Sequence, residues 1–144
     1  MNDADILATV IALLNEHTAI TALAGVDVYG AELPKEVVRR MPTRAIVVQP
    51  SGGPALTAGS YAKLDSQRFD IVAYAATPFE ANELRRAAGR ALCNVRRRVV
   101  TDGPSNVLIH WIEAAGGFFT ARDQDGFWPN SFQSFQVFFA SQEF

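Results

Sequence analysis

The stretch SQRFDIVAYAATPFEANELRRAAG, Ser66 to Gly89, decides the fold. Its first half alternates: Phe69, Ile71, Ala73 and Ala75 fall on one side, Arg68, Asp70, Val72 and Tyr74 on the other. That is a strand with one core face and one mixed face. Its second half opens on Thr77-Pro78-Phe79-Glu80, a capping box with proline at the first helical position. The helix is expected to run to about Val95, with Leu84, Ala87, Ala88, Ala91 and Leu92 on one face. Several of these are alanine, so the helix can lie close to a sheet. The strand delivers it there directly.

Working outward, Ala4 to Glu16 reads as an amphipathic helix capped by Asp3. Ile6, Val10, Leu13 and Leu14 share a face that Leu7 and Ile11 widen. A helical turn is expected at Thr18 to Leu23, and a short strand at Val26 to Tyr29. An irregular stretch from Gly30 to Pro42 follows, then a buried strand from Arg44 to Gln49. Ser51 to Asp65, rich in Gly, Ser and Ala, reads as a long exposed loop of the kind that is usually functional or disordered. Thr101 to Ser105 is a turn, and Val107 to Ala114 a strand broken by Gly116-Gly117. Turn signals fill Phe118 to Asn130, and Ser131 to Ser141 is the last strand. This order predicts a single α+β domain over residues 1–144. Its sheet is largely antiparallel, with an N-terminal helix and one long central helix packed on one face.

Composition narrows the function classes. The 144 residues carry a formal charge of −2, which gives no bulk attraction to nucleic acid or membrane. One cysteine, Cys93, excludes an internal disulfide. The apolar run Ile6 to Leu14 is about half the length of a membrane span, and the start MNDAD is acidic where a secretory signal would be basic. A soluble protein made in the cytosol is expected.

Catalytic chemistry finds little support. Only His17 and His110 accompany Cys93, no Gly-x-Ser-x-Gly elbow occurs, and Cys93 sits where a small buried thiol is ordinary. These residues do not make a zinc site. Asp123-Gln124-Asp125-Gly126 lacks the further oxygen ligands of a calcium loop and reads as a turn. Ser51-Gly52-Gly53-Pro54 lacks the Gly-Lys-Ser/Thr of a phosphate loop. No enzyme activity, metal or cofactor is expected.

Two clusters stand out. Arg85, Arg86, Arg90, Arg96, Arg97 and Arg98 lie in a stretch, Leu84 to Val100, without an acidic residue. They read either as a basic patch for an acidic partner or DNA phosphates, or as a solvated helix face with charge near the helix C-terminus. Nine aromatic residues crowd between Phe118 and Phe144, and the last strand carries Phe on both sides. A strand of that kind is expected to be buried on both faces, the second covered by another subunit or by loops of the same chain.

The pattern as a whole resembles the small tail terminator, or tail completion, proteins of long-tailed bacteriophages. The resemblance covers nearly the whole chain. It rests on the N-terminal helix, Val28-Tyr29-Gly30, Pro42 leading into Ala45-Ile46-Val47-Val48, and Gln67 to Tyr74. Thr77, Glu80, Ala81 and Leu84 follow, then the Gly-Gly, an acidic loop, Trp128-Pro129 and Phe135 to Val137. It implies a subunit of a six-fold ring on the head-proximal end of the tail tube, ending tube polymerisation and joining the neck. The implied location is the virion, after assembly in the host bacterial cytoplasm. The implied partners are other copies of itself, the tail tube protein, a head-closure or connector protein, and non-specifically the DNA in the lumen; no membrane is involved. The family has no catalytic residues. A head-closure ring protein and a small nucleic-acid-binding module are the alternatives. Loop position and aromaticity make Phe118, Phe119, Arg122, Trp128 and the Ser51 to Asp65 loop with Tyr61 the candidate interface.

Overall fold

The computed structural model describes residues 6–16, 27–39, 44–50, 65–102, 105–122 and 128–141. In chain order these form α1 (Ile6–Glu16), β1 (Asp27–Gly30), α2 (Lys35–Val38), β2 (Ala45–Pro50), β3 (Asp65–Tyr74), α3 (Pro78–Cys93), β4 (Arg96–Asp102), β5 (Ser105–Arg122) and β6 (Pro129–Ser141). The six strands make one sheet in the order β1-β2-β3-β6-β5-β4. β1 pairs with β2 in parallel, and the remaining pairings are antiparallel. The architecture is therefore mixed, sheet-rich and largely antiparallel, with a helix on its N-terminal side.

The junction after β3 forms as its residues dictate. Thr77 is extended, and its side-chain oxygen accepts the Glu80 backbone N–H at 3.2 Å. Pro78, with no N–H to satisfy, takes the first helical position. At the far end the Asn94 N–H turns back to the carbonyls of Arg90 and Leu92. α3 lies over β3, β6 and β5. Its buried face includes Ala81, Leu84, Ala87, Ala88, Ala91 and Leu92. Of these, Leu84, Ala87, Ala88, Ala91 and Leu92 pack with Phe69, Ile71 and Ala73 of β3 and with Phe135 and Val137 of β6 in one core. The Phe69 and Phe135 rings stack at its centre, 5.8 Å apart.

α1 adds Ile6, Val10, Leu13 and Leu14 to the same core, with Leu7 and Ile11 partly buried beside them. It touches β1, β2, β4 and α3. β1 and β4 are the two ends of the strand order, so the sheet curls until both edges reach α1. Glu16 at the end of α1 pairs with Arg98 of β4. On the other side a Cβ at Gly30 would stand 3.2 Å from Ile11 Cδ1, so α1 seats tightly on β1. Helix cover of this kind shields strand edges from pairing with other chains.

Several sequence expectations change. Arg96 to Asp102 is a strand that the sequence reading does not contain, so three of the six clustered arginines lie on a sheet edge. The Val99 and Val100 pair is β-branched, and Val100 turns into the core. Gly116-Gly117 does not end the strand before it: β5 continues to Arg122 through an irregularity. The irregular stretch after Gly30 contains α2. The expected turn at Thr18 to Leu23 lies outside the described residues, as do the Asp3 cap, most of the Ser51 to Asp65 loop and the Asp123 to Gly126 turn.

Removing the Thr77 side chain strips an N–H acceptor from the first turn of α3. Thr77→Ala is expected to cost about 1 kcal/mol of unfolding free energy, measured as a lower urea midpoint at unchanged slope.

Candidate assembly surface

The sheet has a face that carries α1 and α3 and an opposite face that carries neither. Cross-strand register writes this opposite face in rows. One row runs Tyr29, Val47, Val72, Phe132, Phe119 across β1, β2, β3, β6 and β5. Side chains directly opposite on one face touch, so this is a continuous apolar stripe. Its middle is buried by the chain itself: Leu33, Trp128, Tyr29 and Phe132 pack on Ala45, Val47, Val72 and Tyr74. A small pocket of about 240 Å³ remains there between Glu32, Leu33, Val38 and Trp128. The β5 end is not covered. Phe119 stacks on Phe132 with centroids 4.8 Å apart and is still 55% exposed.

Beyond this stripe the face turns polar. Ser134 donates a hydrogen bond to Asp70 Oδ1 at 2.6 Å, and Arg68, Gln136 and Glu113 form the next row. A second aromatic pair then follows, Trp111 stacked on Phe138 at 4.3 Å. Within the single chain the two sides of β6 are buried to different degrees, the second only in part by loops of the same chain. Phe135, Val137 and Phe139 are core, whereas Phe132 and Phe138 are half-buried in ring pairs separated by a polar band.

The bulge in β5 produces the exposed end. Ala114 pairs with Phe135 and Phe118 with Gln133, so three β5 residues stand opposite one of β6. Gly116 takes φ +144°, which side-chain-bearing residues rarely adopt. Arg68 Nη2 donates to the Ala115 carbonyl at 3.2 Å and ties the bulge to β3. After the bulge, Phe118 and Phe119 point to opposite faces, as consecutive strand residues must. Phe118 goes to the helix side, 58% exposed, with the Arg85 guanidinium 3.9 Å from its ring centroid.

Arg85 ties the outer hairpin to the helix. Its Nε donates to Ser131 Oγ at 3.0 Å, one terminal nitrogen to Gln133 Oε1 at 2.7 Å, and the other to Asn82 Oδ1 at 2.8 Å. The side chain is 5% exposed, and every acceptor is neutral. Burial, with the charge of Arg86 beside it, holds its pKa below the ordinary guanidinium value. Guanidinium nonetheless stays charged in proteins. At the end of the same helix, half-buried Cys93 has its pKa pushed up by burial, against the opposing charge of Arg96, so its thiol is a poor nucleophile.

Of the interface residues read from sequence, Phe118, Phe119 and Arg122 all lie on the outer part of β5, beyond the bulge. Trp128 precedes β6 and packs into the apolar cluster that Phe132 shares with the stripe. Tyr61 lies outside the described residues. The basic patch is divided: Arg85 is buried, Arg86 and Arg90 are exposed on α3, and Arg96, Arg97 and Arg98 are exposed on β4. Sequence reading missed Phe132 and Arg68, and only the register shows their roles. Among the described residues no His, Cys, Asp and Glu group is placed to hold a metal ion, and no helix is long and apolar enough to cross a membrane. Compared with known proteins, the chain matches no family model and no curated protein.

Replacing Arg85 by Met keeps the length and removes the donor fork, leaving buried Ser131 without its donor. Arg85→Met is expected to lower stability by about 2–3 kcal/mol in urea unfolding, and Arg85→Lys, which keeps charge but not the fork, to recover only part of it.

Proposed function

We propose that this chain is a structural subunit of a ring closing the head-proximal end of a long-tailed phage's tail tube, where it ends polymerisation and joins the neck in the virion. One observation supports the ring most directly. The apolar stripe on the face opposite α1 and α3 is covered by the chain itself at β2 and β3 and left open at β5, where Phe119 remains exposed, stacked on half-buried Phe132. Exposed aromatic clusters rimmed by polar residues mark association surfaces. With Phe118 on the opposite face of the same strand, both sides of the hairpin end offer aromatic surface, and one patch can then meet a different patch on the next copy. Repeated contacts of that heterologous kind build a ring when the rotation from copy to copy closes, and an open filament otherwise.

The tail-terminator reading of that ring rests on the sequence resemblance. In this reading α3 is the long central helix packed on one face of the sheet. The outer β5–β6 hairpin, with Phe118, Phe119, Arg122 and Trp128, is the joining element, and tail tube protein and connector are its neighbours.

Light scattering across concentration, with and without tail tube protein, tests it. A mass of about six subunits, alone or on tube ends, is expected. Phe118→Ser with Phe119→Ser is expected to leave a folded monomer, because both rings are more than half exposed and contribute little to the core. Unchanged ring formation by that double variant would remove the hairpin from the interface. A wild-type monomer that leaves tube length unchanged would remove the function.

A further inference from the structure

We infer that the groove between α3 and the bulged end of β5 binds an acidic protein segment, with Arg85, Arg86 and Arg90 receiving its carboxylates. The groove encloses about 440 Å³ and is also lined by Gly89, Ala114 and Gln133. None of its lining residues is acidic. Arg85 stands in its wall almost wholly buried, and its three hydrogen bonds go to a hydroxyl and two amides. A guanidinium has five N–H donors, so two remain without an acceptor among the described residues. Arg86 and Arg90 are exposed on the rim, and among the described residues neither has a hydrogen-bond or ion-pair partner. Buried charge is normally paired, and among the described residues no carboxylate neutralises the positive charge of this site.

The shape and the rest of the chain favour a carboxylate-bearing peptide over nucleic acid. The floor is apolar and open, built from Gly89, Ala114 and the ring of Phe135, which suits a peptide laid across it. Guanidinium forks match carboxylates in two parallel hydrogen bonds. A long polyanion would extend past the groove, and the rest of the chain carries all fifteen acidic residues against ten of the thirteen basic ones. A short acidic segment need not leave the groove. Arg85 adjoins the aromatic surface through Phe118, so the test uses Arg86 and Arg90, neither of which belongs to that surface.

Fluorescence anisotropy with a labelled hexaglutamate peptide, against hexalysine, a short oligothymidylate and a short DNA duplex, tests the inference. Hexaglutamate is expected to bind most tightly. Arg86→Glu with Arg90→Glu is expected to weaken it about tenfold, while Arg97→Glu, exposed on β4 away from the groove, changes it less than about twofold. Both rim arginines are exposed, so the variant's unchanged thermal unfolding is the folding control. Its mass by light scattering, read alongside, separates loss of the groove from loss of assembly. No hexaglutamate binding, equal binding by the groove and Arg97 variants, or tighter binding of either oligonucleotide would overturn the proposal.

Discussion

The antiparallel register of β3 on β6 is the constraint on which the rest depends. It stacks Phe69 on Phe135 beneath α3 and sets Val72 opposite Phe132 on the other face. Strand side chains alternate with a period of two, so a slip of one residue would exchange the faces of β6. Phe135, Val137 and Phe139 would leave the core, and Gln136 and Ser134 would enter it. The same register sets Asp70 against Ser134, whose hydrogen bond would be lost. Core packing and a polar pair thus fix one alignment together. The apolar stripe is its consequence rather than a separate feature.

That alignment would give β5 and β6 matched alternation along their length, were it not for the bulge at Ala115, Gly116 and Gly117. The extra residues let the strand go on pairing while its side chains are re-aimed. Before the bulge, Val107, Ile109 and Ile112 are core; after it, Phe118 and Phe119 face outward on opposite sides. The added surface costs the monomer apolar exposure. Arg85 and Phe132 limit that cost by covering one face of each ring. A helix-borne cation and a strand-borne ring therefore hold the hairpin end in place while leaving half of each phenylalanine open.

Much of this was legible in the residues. The alternation from Phe69 to Ala75 and the Thr77-Pro78 start gave both faces of β3 and the start of α3, because each rests on local preferences that tertiary packing does not oppose. β4 was hidden for a physical reason: arginine carries no strand signal, and Arg96 to Arg98 continue the basic character of the helix before them. Arg98 is a strand residue because it pairs with Ile109 across the ladder and reaches Glu16. The Gly-Gly pair reads as a break from sequence, since glycine supplies the same freedom to a turn and to a bulge. Phe118 and Phe119 could be singled out by their aromaticity. Their division between two faces depends on residue counts on the opposite strand, which no local pattern contains. Arg85 was grouped with its neighbours by charge, and only the fold shows it buried.

If the open end of the stripe is where copies meet, its rings must lose solvent as the protein associates. Hydroxyl-radical footprinting across a concentration series measures this side chain by side chain, with Phe79, 87% exposed at the start of α3, as the internal reference. The account expects Phe119 and Phe132 to become protected as concentration rises while Phe79 keeps its rate. Unchanged modification of Phe119 and Phe132 at concentrations where the mass has risen would contradict it.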